Sequence, residues 1–201
     1  MTSLSGASYV AAVERAATVV DATAVVRSSF TDTTVFFYGA LLSAFQRYVA
    51  QQDAVAVPAE TADTIDLLNL LAFKTVSDVD GTPDGVKALL VQHPGLTAKL
   101  QLLSFLTLCS QHTLTPDGLC LSYSDVELAL GIHGAVPVQR VVLQAVQQRL
   151  CMARINEKER QVRVYSYESR NVTPDDLTNL KERLAQWVAY AEAHLRDIWP
   201  S

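Results

Sequence analysis

Between Pro137 and Cys151, the residues Val138, Val141, Val142, Ala145 and Val146 recur in steps of three and four, the spacing of a core-facing helical stripe. Pro137 stands where a first helical position needs no N–H donor. A shorter helical segment, Ser122 to Leu130, precedes it across a Gly131/His133 break. Beyond Cys151 the period changes to two. Ala153-Arg154-Ile155 and Gln161-Val162-Arg163-Val164-Tyr165 flank a charged Asn156–Arg160 tip, which predicts a β-hairpin. Helix, turn, helix and hairpin make a winged helix, expected over residues 112–170. A lone hairpin is marginal in water, so this one must lie on the helices beside it.

Upstream, residues 9 to 20 read as a helix capped by Ser8, and a short second helix runs from Asp21 to near Ser29. Phe37, Leu41, Phe45 and Val49 fall four apart, predicting a helix from Val35 with a bulky buried face. A strand is the alternative for Val35–Tyr38, because aromatic and β-branched residues favour strands. Glu60 to Lys74 forms the next helix, with Ile65, Leu68, Leu71 and Ala72 inward. Residues 77–95 carry loop chemistry around one turn at Val86–Val91. From Leu96 to Ser110 apolar residues cover nearly all sides, so that helix should be a buried spine. The fold class is therefore mostly α. A helical-repeat subdomain resembling an α-solenoid is expected over residues 1–111, then the winged helix, then a C-terminal helix over 171–201.

That last helix opens on Thr173-Pro174-Asp175-Asp176, with an N-cap, proline at N1 and an acid at N3. Its stripe is Leu177, Leu180, Leu184, Trp187, Val188, Ala191, Leu195 and Ile198, with Trp199 beyond. Leu177 to Leu184 are expected to pack on the winged helix. The part from Trp187 onward should expose an apolar strip, the mark of a partner site. On the last strand Tyr165 and Tyr167 alternate with Ser166; core packing and an interface at an exposed strand edge are both open. The candidate partner-binding residues are therefore Val162, Val164, Tyr165, Tyr167, Trp187, Ala191, Leu195, Ile198 and Trp199.

Composition narrows the chemistry. The 201 residues are 49% hydrophobic and only 18% charged, so much of the surface is uncharged and open to partners. A net charge of −5 does not favour a general nucleic-acid binder. Three cysteines without a framework suit a reducing compartment. Nothing before Tyr9 resembles a signal peptide and no apolar run reaches membrane-spanning length, so an intracellular, membrane-free chain is expected. Cys109 and His112, with Cys120 and His133, lack the second paired cluster of a structural zinc site. No nucleophile elbow, Walker loop or dinucleotide fingerprint occurs, so no catalysis, metal or cofactor is expected. Arg140, Arg149, Arg154, Lys158, Arg160, Arg163 and Arg170 make the winged-helix region locally basic. Yet the outer face of the Pro137 helix offers mainly Gln139, Arg140, Gln144, Gln147 and Gln148. The two arginines of that helix, Arg140 and Arg149, are few for phosphate binding, and a solvated polar face is the favoured reading.

Several segments recur together in a recognisable order. They are Val35-Phe36-Phe37-Tyr38-Gly39-Ala40-Leu41-Leu42, then Leu67 to Thr75, then Cys120-Leu121-Ser122-Tyr123 leading to Ala129-Leu130. Val138 to Ile155 follows, and then the run from Arg160-Gln161-Val162-Arg163-Val164 through Arg170 to Leu184, Gln186 and Trp187. Beyond about residue 33 this order resembles the PCI-domain proteins of the proteasome lid, the COP-nine signalosome and translation initiation factor three. Within that family the signalosome branch is the nearest. The resemblance implies helical repeats, a winged helix and a C-terminal helix, and a non-catalytic scaffold role. Its implied partners are other PCI subunits and, indirectly, a metalloprotease-bearing subunit that removes the modifier Nedd from cullin ligases. The alternatives are the PCI subunit m of initiation factor three and a winged-helix nucleic-acid binder. The 78–95 stretch has no counterpart in the family pattern, Thr115-Pro116-Asp117-Gly118 is an insertion, and family members continue into further helices where this chain stops at Ser201.

Overall fold

The structure is a computed structural model of the chain, described here for residues 6–52, 58–112, 114–115, 117–171 and 174–198. It divides into two compact units, residues 1–171 and 172–201. The expected junction near residue 111 falls inside the first of these.

The first unit opens with α1 (Gly6–Glu14), α2 (Val19–Thr31), α3 (Gly39–Gln51) and α4 (Ala59–Phe73). The break between α1 and α2 comes earlier than the expected junction at Asp21. The Thr18 hydroxyl accepts from the Asp21 backbone N–H at 3.1 Å and donates to the Asp21 carboxylate at 2.7 Å. That local cap ends the apolar run Ala16-Ala17 as helix and restarts the chain at Val19. Val35–Tyr38 is neither helix nor strand. Leu41 and Phe45 are buried as expected and Val49 is half-buried, but Phe37 is 38% exposed while Val35, Phe36 and Tyr38 take the core positions. The expected loop at 77–95 is instead helical. A 3₁₀ helix, Val76–Gly81, starts on a Thr75/Asp78 capping box, and α5 (Asp84–Gln92) buries Val86, Leu89 and Leu90. The Gly and Pro residues there mark helix ends rather than a continuous loop.

α6 (Pro94–Gln111) is the spine expected from its pattern. Leu96, Leu100, Leu103, Phe105 and Leu106 are each at most 1% exposed. It packs against α2 and α5 and also against three of the five elements that follow, the two helices and the last strand. The five are β1 (Leu119–Ser122), α7 (Tyr123–Leu130), α8 (Ala135–Gln147), β2 (Cys151–Asn156) and β3 (Gln161–Tyr167). One apolar core runs from Tyr9 through α6 to Val164.

Ser122 and Asp125 form the capping box that starts α7, and Gly131, at φ 61°, ends it in the left-handed conformation a side chain resists. α7 and α8 meet at a bend of 82°. α8 begins at Ala135, two residues before the expected start, so Pro137 lies within its first turn. Val138, Val141, Val142 and Ala145 are buried, and Val146 is at the rim, 36% exposed. The expected hairpin is one side of a three-stranded antiparallel sheet in the order β1-β3-β2. Leu119 and Leu121 alternate inward on β1, a strand too short for its period to be read from sequence. Gly118, at φ 94°, delivers the chain into it; a Cβ there would meet the Val164 carbonyl at 3.0 Å.

The second unit holds α9 (Pro174–Ile198). Among the described residues no single helix is long and apolar enough to cross a membrane.

Candidate partner-binding surfaces

Two cations inside the first unit hold the frame on which its surfaces sit. Lys99 on α6 is 7% exposed, although nearly every neighbour in its helix is apolar. Its amine donates to the carbonyls of Phe30 at 3.1 Å and Asp32, and to the Tyr38 hydroxyl at 2.9 Å. It also lies 5.6 Å from the Tyr38 ring centroid and 6.0 Å from that of Phe36. α2 has no basic residue in its own last turn, so Lys99 supplies the positive charge that its carbonyl end favours. Burial pushes the amine down to about 8, opposed by the Asp32 carboxylate.

Arg170 does the same for α4. It donates to the carbonyls of Leu70 at 3.3 Å and Leu71 at 2.8 Å and to the Thr107 hydroxyl at 2.8 Å, and Asn171 donates to Ala72 at 3.3 Å. Its Nε is buried without a partner, and burial lowers its guanidinium to about 10. Both cations are held by backbone carbonyls and one hydroxyl each, so they build the frame.

The sheet places the first set of candidate residues. Val162 and Val164 are 0% exposed and belong to the core, so their side chains are closed to a partner. β3 is the central strand, not an edge, because β1 returns to pair with it. Strand addition is therefore open only at β1 or β2. Tyr167 is half-buried against the core. Tyr165 is half-buried beneath the Arg154 guanidinium, 5.8 Å from its ring centroid.

α9 places the second set. Leu177, Leu180 and Leu184 are 57%, 50% and 54% exposed. Trp187, Val188 and Tyr190 are exposed too, and Ala191 is half-buried. The helical backbone includes Leu195 and Ile198, but their side chains lie outside the described residues, as does Trp199. From Leu177 to Val188 the stripe is thus an exposed apolar face on an amphipathic helix.

The remaining candidates are dispersed. Cys109 and Cys151 are buried free thiols, raised by burial to about 12 and about 11, and Cys120 is exposed. Among the described residues no three His, Cys, Asp or Glu side chains converge as metal ligands. Of the basic residues, Arg170 is internal, and Arg160 pairs with Glu127 at 3.6 Å and lies over the Tyr123 ring. The outer face of α8 is also less polar than its glutamines suggest: Val136 is 65% and Leu143 53% exposed. Missed in the sequence were Lys99 and those two residues. Lys99 is the one charged residue in α6, and a lone charge in a mostly buried helix is itself the signal for a capped cation. Comparison with known proteins finds no matching family model and no matching curated protein.

Proposed function

We propose that this chain is a non-catalytic scaffold subunit of the COP-nine signalosome type, a PCI-domain protein of the cytoplasm and nucleus that assembles with other PCI subunits. The observation that carries the reading is the order of elements. Helices α1–α5 precede α6-β1-α7-α8-β2-β3 with sheet order β1-β3-β2, the helix–turn–helix and hairpin arrangement of a winged helix, and a long helix follows. The exposed stripe of α9 supports a role in helix-to-helix assembly. The two buried cations support a rigid frame rather than a reactive centre, because each is committed to helix ends.

Affinity capture of the full chain from cells, followed by mass spectrometry, tests this. Cullins and a metalloprotease-bearing subunit are expected. Ribosomal proteins and initiation-factor subunits would move the chain to the initiation-factor branch. Neither set among the captured proteins would overturn the assembly role.

A further inference from the structure

The outer face of the sheet carries an arrangement that the frame does not need. Arg163 on β3 stands directly opposite Arg154 on β2 and opposite Cys120 on β1. Like charges opposed across neighbouring strands destabilise a sheet. Both side chains are exposed, and among the described residues neither forms an ion pair. Arg154 is nevertheless held in place, stacked over the Tyr165 ring. The two guanidinium groups, Tyr165 and Gln161 line an open cleft of about 510 Å³ that ends at the hairpin tip with Glu157 and Glu159.

We propose that this cleft binds an acidic peptide segment of a partner protein, one of whose carboxylates sits between Arg154 and Arg163. A carboxylate is the ligand that two adjacent forks recognise with paired hydrogen bonds, and binding it removes the repulsion the empty face carries. The Tyr165 ring gives the neighbouring residue of the segment an apolar wall. The charge distribution selects against a polyanion. A nucleic-acid backbone running along the sheet would have to pass Glu157 and Glu159, and the chain as a whole is at −5. Glu159 is fixed at that end, its carboxylate accepting from the Asn156 amide at 2.8 Å. The cleft is therefore positive at one end and negative at the other, which suits a short segment with one acidic anchor. The proposal does not depend on which complex the chain joins.

The test is fluorescence anisotropy with the full chain and a short fluorescein-labelled peptide bearing paired glutamates beside a leucine. Its glutamine counterpart and a mixed-sequence single-stranded RNA serve as comparisons. Saturable binding of the glutamate peptide is expected. Arg154→Gln and Arg163→Gln should each weaken it about tenfold, the size of a charge-assisted contact, and Arg140→Gln should leave it unchanged. Melting curves without peptide should show both cleft variants at least as stable as the parent, since each removes a like-charge pair. Absent binding, equal binding of the glutamine peptide, or equal loss in Arg140→Gln would overturn the proposal. So would tighter binding of the RNA through the same two arginines, or a lowered melting temperature in both cleft variants.

Discussion

The Lys99 amine donates to the Tyr38 hydroxyl at 2.9 Å, and Tyr38 in turn donates to the Val35 carbonyl at 3.1 Å. This chain of two hydrogen bonds ties the spine α6 to the irregular Val35–Tyr38 segment and, through the Phe30 carbonyl, to the end of α2. In that segment, which is neither helix nor strand, Tyr38 is buried against Lys99 while Phe37 is turned outward.

A pH dependence follows from the same contact. The Lys99 amine is lowered to about 8 in the folded chain against an ordinary 10.5. Below pH 8 both states are protonated and the burial penalty is fully present. Between the two values the unfolded chain binds more protons, so the Lys99 contribution to stability rises with pH. Lys99→Met lacks this titration. Denaturant unfolding of both proteins from pH 7 to pH 10 should show their difference moving in favour of the parent, by about 3 kcal/mol at most. A difference that stays constant across that range would place the amine in water.

Arg170 should behave as a keystone rather than a surface charge. Arg170→Met leaves the Leu71 carbonyl at the end of α4 without the guanidinium, and the Leu70 carbonyl with the Lys74 N–H alone. The expected cost is about 2–4 kcal/mol, with Arg170→Lys intermediate because an ammonium cannot span two elements as a planar fork does. Chemical denaturation reads it directly, and a loss below about 0.5 kcal/mol, the scale of an ordinary surface change, would mean water replaces the guanidinium.

The spine itself gives the largest expected effect. Leu103 and Phe105 are 0% exposed on a helix that touches both the N-terminal helices and the sheet. Leu103→Ala or Phe105→Ala should each cost about 2–5 kcal/mol. Total stabilities are about 5–15 kcal/mol, so either loss is severe. Equilibrium melts with both changes under about 1 kcal/mol would refute the burial of α6.

What the sequence made legible was periodicity. The α8 stripe, the all-round burial of α6 and the hairpin about Asn156–Arg160 each follow from repeat spacing alone, and each stands where its spacing puts it. What was not legible depends on contacts between distant residues. The central place of β3 comes from β1, whose Leu119 and Leu121 are too few to set a period. The burial of Tyr38 beside an outward Phe37 goes with a hydrogen bond to Lys99, more than sixty positions away in the chain. The helices at Val76–Gly81 and Asp84–Gln92 were hidden because their caps use the residues that elsewhere make loops. For the candidate surfaces, the α9 stripe was visible as a pattern. The Arg154–Arg163 pair was not, since opposition across strands requires the register.

The last prediction separates the α9 face from the stability of the fold. Leu184 and Trp187 are 54% and 67% exposed on a helix that forms its own unit of the chain. Replacing exposed apolar residues by charge removes no core contact, so Leu184→Asp with Trp187→Asp should leave the melting temperature of the isolated chain nearly unchanged. Aromatic anchors carry a disproportionate share of interface energy, and a buried unpaired carboxylate opposes association further. The same double variant should therefore lose the partners captured by the parent chain, by about a hundredfold or more in affinity, given roughly 2 kcal/mol or more per anchor. Retained capture with an unaltered melting temperature would remove α9 from the interface. A large fall in melting temperature with capture intact would instead make the stripe part of the folded core of the chain in solution.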